Sequence, residues 1–233
     1  MTKSKKLALI ATTCVIAIVS SSAKAESTLA FTGGSATGDS YYGYVGGVTA
    51  LNYDLSRDGW LMRATAAYGS YKYDRSGLPK VDGDVSAQDV MIGYQKYFGG
   101  NSLYKNLRLT GYLGGDYQDH SISPNDTKNP VRGSTGGVKG QAEIFANLDN
   151  KISVSAIGNY SSAFDTYWSK GSVGYNFGHF TFGPEVLFMG SESYDQQRFG
   201  VFIGDIPLFS SVKAGVSGGY SHASRQGDSS GYG

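Results

Sequence analysis

The sequence predicts an all-β chain, an antiparallel transmembrane β-barrel, and three observations carry that prediction. Of 233 residues, 34 are Gly and 31 are aromatic (18 Tyr, 11 Phe, 2 Trp), about twice the usual Gly share of roughly 7%. That Gly content, without a collagen period and with five Pro, suits neither a fibre nor a helical domain, since each interior helical Gly costs about 1 kcal/mol relative to Ala. Apolar and polar residues alternate along much of the chain, the period of strands with one apolar and one polar face. Aromatic side chains cluster where those segments end, as in the interfacial girdles of outer-membrane barrels.

Taken in order, residues 1–25 have the tripartite pattern of a secretory signal peptide. Lys3, Lys5 and Lys6 precede an apolar run from Leu7 to Val19, and Ala23-Lys24-Ala25 places cleavage before Glu26. Thirteen apolar residues fall short of the ~20 a membrane-spanning helix needs. Cys14 lies inside the run, and Ala11, Thr12 and Thr13 make a poor lipobox. Removing the signal leaves 208 residues (233 minus 25) and takes away four lysines, so 16 basic face 19 acidic residues and the formal charge moves from +1 to −3. The mature domain, 26–233, then has no cysteine, which excludes disulfides and thiolate metal sites. It shows no basic stripe, so nucleic acid is not an expected partner.

Eleven strands are predicted, near 27–33, 41–51, 60–72, 86–98, 104–118, 136–148, 151–161, 166–177, 179–189, 196–205 and 211–221. The third carries Arg63 in mid-strand between Trp60 and Tyr68; the fourth carries Asp89 and Tyr94. In the fifth, Leu107, Leu109, Gly111, Leu113, Gly115 and Tyr117 oppose Arg108, Thr110, Tyr112, Gly114 and Asp116. In the sixth, Val138, Gly140, Ala142, Ile144, Ala146 and Leu148 oppose Lys139, Gln141, Glu143, Phe145 and Asn147. Later strands bring Tyr160, Lys170, Phe177, Phe180, Glu185, Phe188, Arg198 and Lys213. Connections 73–85 and 119–135 read as long, and those at Gly99–Leu103, Asp149–Asn150 and Gly178 as short, the two-ended arrangement of an outer-membrane barrel. A soluble sandwich also alternates, but its polar faces would not carry so many mid-strand charges. Closed single-chain bacterial barrels have an even strand count. A twelfth strand is therefore expected to be missing at the C-terminus, with Gly231-Tyr232-Gly233 as its start and an open seam between the first and eleventh strands.

The stretches DYQDHSISPNDTKNPVRG (116–133), SAFDTYWSKGSVGYNFG (162–178), GPEV (183–186) and GYVGGVTALNYDLSRDGWLMR (43–63) resemble the cellulose biosynthesis protein BcsS family of alphaproteobacteria. The resemblance covers roughly residues 40–221. It implies a bacterial outer-membrane component of cellulose biosynthesis and secretion, acting with exopolysaccharide and biofilm formation. Outer-membrane lipid would be one partner, and cellulose or other parts of the secretion apparatus another. It brings no catalytic residues and no cofactor.

The residues themselves suggest a lumen lined by Arg63, Asp89, Arg108, Asp116, Lys139, Glu143, Lys170, Glu185 and Arg198, with Tyr112 and Trp168 as faces for sugar rings. In a narrow barrel such charges generally pair and fill the core, so a structural role is preferred to a glucan path. Asp119, His120, Asp126 and Arg132 are candidate contacts on the longest loop, where a partner would be met. The three histidines have no zinc spacing. His222-Ala223-Ser224 resembles the His-x-Ser pair of outer-membrane lipid A deacylases, but no Glu follows and only Asp228 is near, so a triad lacks its third member. The expectation is a non-enzymatic accessory protein; a lipid- or glucan-modifying barrel enzyme and a general small pore stand as alternatives.

Overall fold

The computed structural model describes residues 13–19, 27–75, 77–101, 103–209 and 211–225, and among these every regular element is a strand. The predicted eleven appear as β2 (Thr28–Thr37), β3 (Ser40–Ala50), β4 (Gly59–Tyr73), β5 (Val81–Gly99), β6 (Asn106–Ser123), β7 (Gly133–Asn147), β8 (Ile152–Ser161), β9 (Thr166–Asn176), β10 (Thr181–Ser191), β11 (Tyr194–Phe209) and β12 (Val212–Arg225). Each pairs antiparallel with its neighbours in sequence, so the sheet curls as one continuous meander.

The two edges of this meander, β2 and β12, are both hydrogen-bonded to β1, Thr13–Val19, and the ring of pairings closes through it. Ile16 is opposite Thr32 on one side and Ala214 on the other. The bridging strand thus comes from the segment whose sequence reads as a signal, set aside from the fold on that ground. The expected C-terminal strand and its start at Gly231–Gly233 lie outside the described residues, as do the cleavage site at Ala25 and Asp228.

Side-chain alternation separates two faces. Outward, the central rows hold Val45, Met62, Val90, Ile92, Leu113, Val138, Ile144, Val173, Val186, Val201 and Val216, all exposed. Toward one rim this band ends in Tyr41, Tyr68, Tyr117, Tyr160, Phe199 and Tyr220; toward the other it ends in Trp60, Tyr94, Tyr175, Phe177 and Phe180. Tyr41 packs on Tyr68, Trp60 on Tyr94, and Phe177 on Phe180 with centroids 5.1 Å apart. Beyond Tyr68 the outward face turns polar, with Lys72 paired to Asp82 at 3.1 Å and Asp84 accepting from the Tyr68 hydroxyl.

Inward, Val48, Ala50, Leu61, Met91 and Tyr112 form a small apolar core, with Leu29 and Leu55 against it. Here the Gly and aromatic excess finds a common cause. Across four successive strand pairs an inward ring lies on the glycine directly opposite: Phe31 on Gly46, Tyr42 on Gly69, Tyr71 on Gly83 and Tyr112 on Gly93. A Cβ at Gly46 would stand 2.5 Å from the Phe31 ring, and one at Gly69 would stand 2.9 Å from that of Tyr42. Only a residue without a side chain admits the ring at that spot.

The loops depart from the expected two-ended pattern. β5 and β6 extend to 19 and 18 residues, which shortens the expected 73–85 and 119–135 connections to 74–80 and 124–132. The opposite rim carries the eight-residue connection 51–58 besides its short turns.

Candidate functional site

The charged residues expected in a lumen sit on the inward face, and most are joined in pairs. Asp89 on β5, buried at 7% exposure, accepts from Lys139 on β7 at 2.7 Å. Arg63 on β4 reaches Glu143 on β7 at 3.4 Å, crossing two intervening strands. Its guanidinium also lies 5.0 Å from the Phe31 ring centroid and 5.9 Å from that of Tyr112, distances at which cation–π attraction operates. Lys170 on β9 contacts Glu185 on β10 at 2.6 Å. Asp116, directly opposite Asp89 across the β5–β6 pair, takes bonds from the Ser161 hydroxyl at 2.6 Å and the Gln118 amide at 2.9 Å. Arg108 stacks on Phe145, and Arg198 donates to Gln196 at 3.0 Å. Three of these five cations thus meet a carboxylate, while Arg108 and Arg198 rest on Phe145 and Gln196 and Asp116 is held by neutral donors, the kinds of partner that buried charge requires.

Both mouths are partly closed by loops folded inward. At the lower rim, Gln95 donates to the carbonyls of Leu55 and Arg57, and the Tyr97 hydroxyl donates to that of Leu55. These bonds hold connection 51–58 across the opening and seat Leu55 on the apolar core. Within that loop, donors from Ser56 hold the Asp54 carboxyl below the usual carboxylate range, and Lys96 with the Tyr97 N–H does the same for Asp58.

At the upper rim, connection 124–132 forms a strap. Asp126, 3% exposed, accepts from the Tyr73 hydroxyl at 3.1 Å and faces Arg75 at 3.5 Å. Asn129 donates to Tyr73 at 2.9 Å, and accepts from Val131 N–H at 3.0 Å and from Ser193 at 3.3 Å. Because Tyr73 ends β4 and Ser193 lies in the β10–β11 turn, the strap runs from one side of the mouth to the other.

The four candidate loop contacts therefore separate. Asp119 and His120 belong to strand β6, opposite Ser86 and Val85, because pairing with β5 and β7 satisfies the backbone beyond the predicted strand end. His120 packs edge-on against Phe164 at 4.9 Å and meets the Tyr71 hydroxyl at 3.5 Å. Burial pushes its imidazole down to about 4, against the opposing pull of Asp119. Asp126 is buried in the strap instead of being offered outward, since its carboxylate is the group that organises the loop. Arg132 is exposed, within 3.4 Å of Asn125. His222 and Ser224 lie opposite Gln197 and Asp195 at the exposed end of β12; Asp195 accepts from Tyr167 at 2.6 Å.

Sequence reasoning missed two features. The cross-strand adjacency of Asp89 and Asp116 depends on register, which no single strand reveals. Connection 51–58 is passed over in the sequence reading, although Asp54, Ser56 and Asp58 are the Asx-type turn formers that fold a loop back on itself. Among the described residues, no group of three or more His, Cys, Asp or Glu is placed to hold a metal ion.

Comparison with curated proteins finds no significant match. Residues 29–233, which are 205 of the 233, match the family described as cellulose biosynthesis protein BcsS. The matched region takes in the strand meander from Leu29 onward, both folded-in loops and every interior charge pair, and the chain belongs to the cellulose biosynthesis protein BcsS family.

Proposed function

We propose that this chain is an exported, non-enzymatic outer-membrane β-barrel that serves cellulose biosynthesis and secretion as a structural or export accessory. The observation that carries the reading is the outward apolar band with aromatic rows at both margins. Trp60 and Tyr68 are eight residues apart on β4, about 27 Å along a strand at ~3.4 Å per residue. At a tilt of ~40° this becomes about 20 Å, close to the ~25 Å apolar height of outer-membrane barrels. An apolar band of that extent on a monomer in water would be an aggregation hazard; against lipid it is the favourable surface. The signal pattern of residues 1–25 supports export, with outer-membrane lipid as the surrounding partner.

The paired interior charges and two folded-in loops favour a filled barrel over a general pore. Membership of the family supplies the link to cellulose, and secretion at the cell surface with a consequence for biofilm follows from the location proposed. The test combines fractionation with gene deletion. The protein should appear in the outer membrane, and its loss should change surface cellulose while leaving polymer synthesis by isolated inner membranes intact. Recovery in the soluble periplasm, or unchanged surface cellulose after deletion, refutes the reading.

A further inference from the structure

We infer that the upper mouth holds a binding vestibule for an uncharged saccharide, a short stretch of β-linked glucan chain, with Tyr42 and Tyr44 as its stacking faces. The inference deepens the functional reading above and rests on it. Tyr42 is the outlier among large inward side chains. Leu61, Met91, Tyr73 and Tyr112 are 2–8% exposed, whereas Tyr42 is 41% exposed although its ring lies against Gly69 on the inner wall. A ring that is flat on the wall and still exposed borders open space inside the sheet. It stands two residues into β3 from the β2–β3 turn.

Tyr44 continues the row, its ring 6.3 Å from that of Tyr42 and 6.3 Å from Phe31. The face of Phe31 is already taken by Arg63, so the available rings are the two tyrosines. Around them stand polar groups with spare capacity. Tyr42 lies within electrostatic reach of Asp89, Tyr44 of Glu185, and Arg198 of Glu185. Asp89 Oδ1 and Arg198 Nε are buried and have no hydrogen-bond partner among the described residues, the condition that a ligand hydroxyl would relieve. Asp89 is itself more than nine-tenths buried.

The aromatic faces select the ligand class. Asp89 is paired with Lys139 and Glu185 with Lys170, and Arg198 adds one cation bonded to the neutral Gln196, so the field is that of a single charge and not of an anion-binding cluster. The vestibule combines aromatic faces with donors and acceptors, the makeup of a site for a flat, hydroxyl-rimmed, neutral ring. Hydroxyls at the edge of a pyranose ring meet Asp89 and Arg198 while its C–H face rests on tyrosine.

The test is calorimetric titration of cellohexaose into the full-length protein purified from membranes in detergent. Binding is expected in the wild type, at least tenfold weaker in Tyr42→Leu and Tyr44→Leu, unchanged in Tyr68→Leu on the outward face, and retained in Tyr42→Phe. Heat-modifiable gel migration checks that each variant is folded. Lack of binding in the folded wild type, or equal binding in folded Tyr42→Leu and Tyr44→Leu, overturns the inference. Such a result alongside outer-membrane location and altered surface cellulose on deletion removes the vestibule alone, whereas a soluble location removes the reading beneath it.

Discussion

Replacing Lys139 by Met tests the interior most directly. Among the described residues Lys139 is the partner of the Asp89 carboxylate, at 2.7 Å, with both side chains largely buried (18% and 7% exposed). Its loss strands a charge that already has one oxygen unbonded. Asp116, the cross-strand neighbour, adds a second carboxylate whose donors, Ser161 and Gln118, are neutral. Removing one member of a buried pair costs about 3–5 kcal/mol, more than the pair's net worth, because the remaining charge stays desolvated. Asp89→Asn in the Lys139→Met background removes that charge and should recover most of the loss, leaving the double variant within about 2 kcal/mol of wild type. Urea titrations in lipid vesicles, read by the fraction migrating as the compact band without heating, give both values. A single variant as stable as wild type, or a double variant no better than the single, refutes the argument that the interior is held by paired charge.

Four further outcomes follow from the same geometry. His120, with its imidazole pushed down to about 4 by burial against ~6.5 in the unfolded chain, contributes stability fully present above pH 6.5. That stability is lost as pH falls toward 4, by at most about 3 kcal/mol; unfolding at pH 7 and pH 4.5 should differ less in His120→Gln. Gly46→Ala should cost about 1–3 kcal/mol by overpacking, since the new Cβ meets the Ala64 carbonyl oxygen at 2.7 Å as well as the Phe31 ring, and Phe31→Leu should restore only part, as urea midpoints will report. In planar bilayers the folded protein should be electrically silent, and a variant lacking residues 125–131 should be leakier; steady conductance by the wild type would favour a pore. His222→Ala and Ser224→Ala should leave the surface-cellulose phenotype of a complemented deletion strain unchanged, and loss of complementation by either would revive an enzymatic reading.

The strands were legible because two-residue alternation needs only local sequence. Leu107–Tyr117 and Val138–Leu148 announce their faces without reference to any partner. The same pattern placed Arg63, Asp89, Lys139 and Glu185 on the inner side, but it could not say that Lys139 belongs to Asp89 and Arg63 to Glu143, since those matches depend on register and curvature. Strand ends were read short at β5 and β6 because Asp82, Asp84, Asp119 and Ser121 look like loop residues. They are polar for another reason: that part of the sheet stands beyond the apolar band. The strap reads from sequence as a loop offered to a partner for a related cause, since Asp126 and Asn129 are ordinary turn formers until Tyr73, Arg75 and Ser193 surround them.

The rings resting on glycines also act as a ruler for assembly. A hairpin can slip by two residues and still keep its apolar face outward, so alternation alone leaves that error open. Here such a slip would drive Phe31 onto Val48 or Tyr44, Tyr42 onto Ala67 or Tyr71, Tyr71 onto Val81 or Val85, and Tyr112 onto Met91 or Gln95. Each of the first four hairpin junctions of the meander is therefore keyed by one large residue and one absent side chain, and a nascent sheet in the wrong register meets a collision before its pairing is complete.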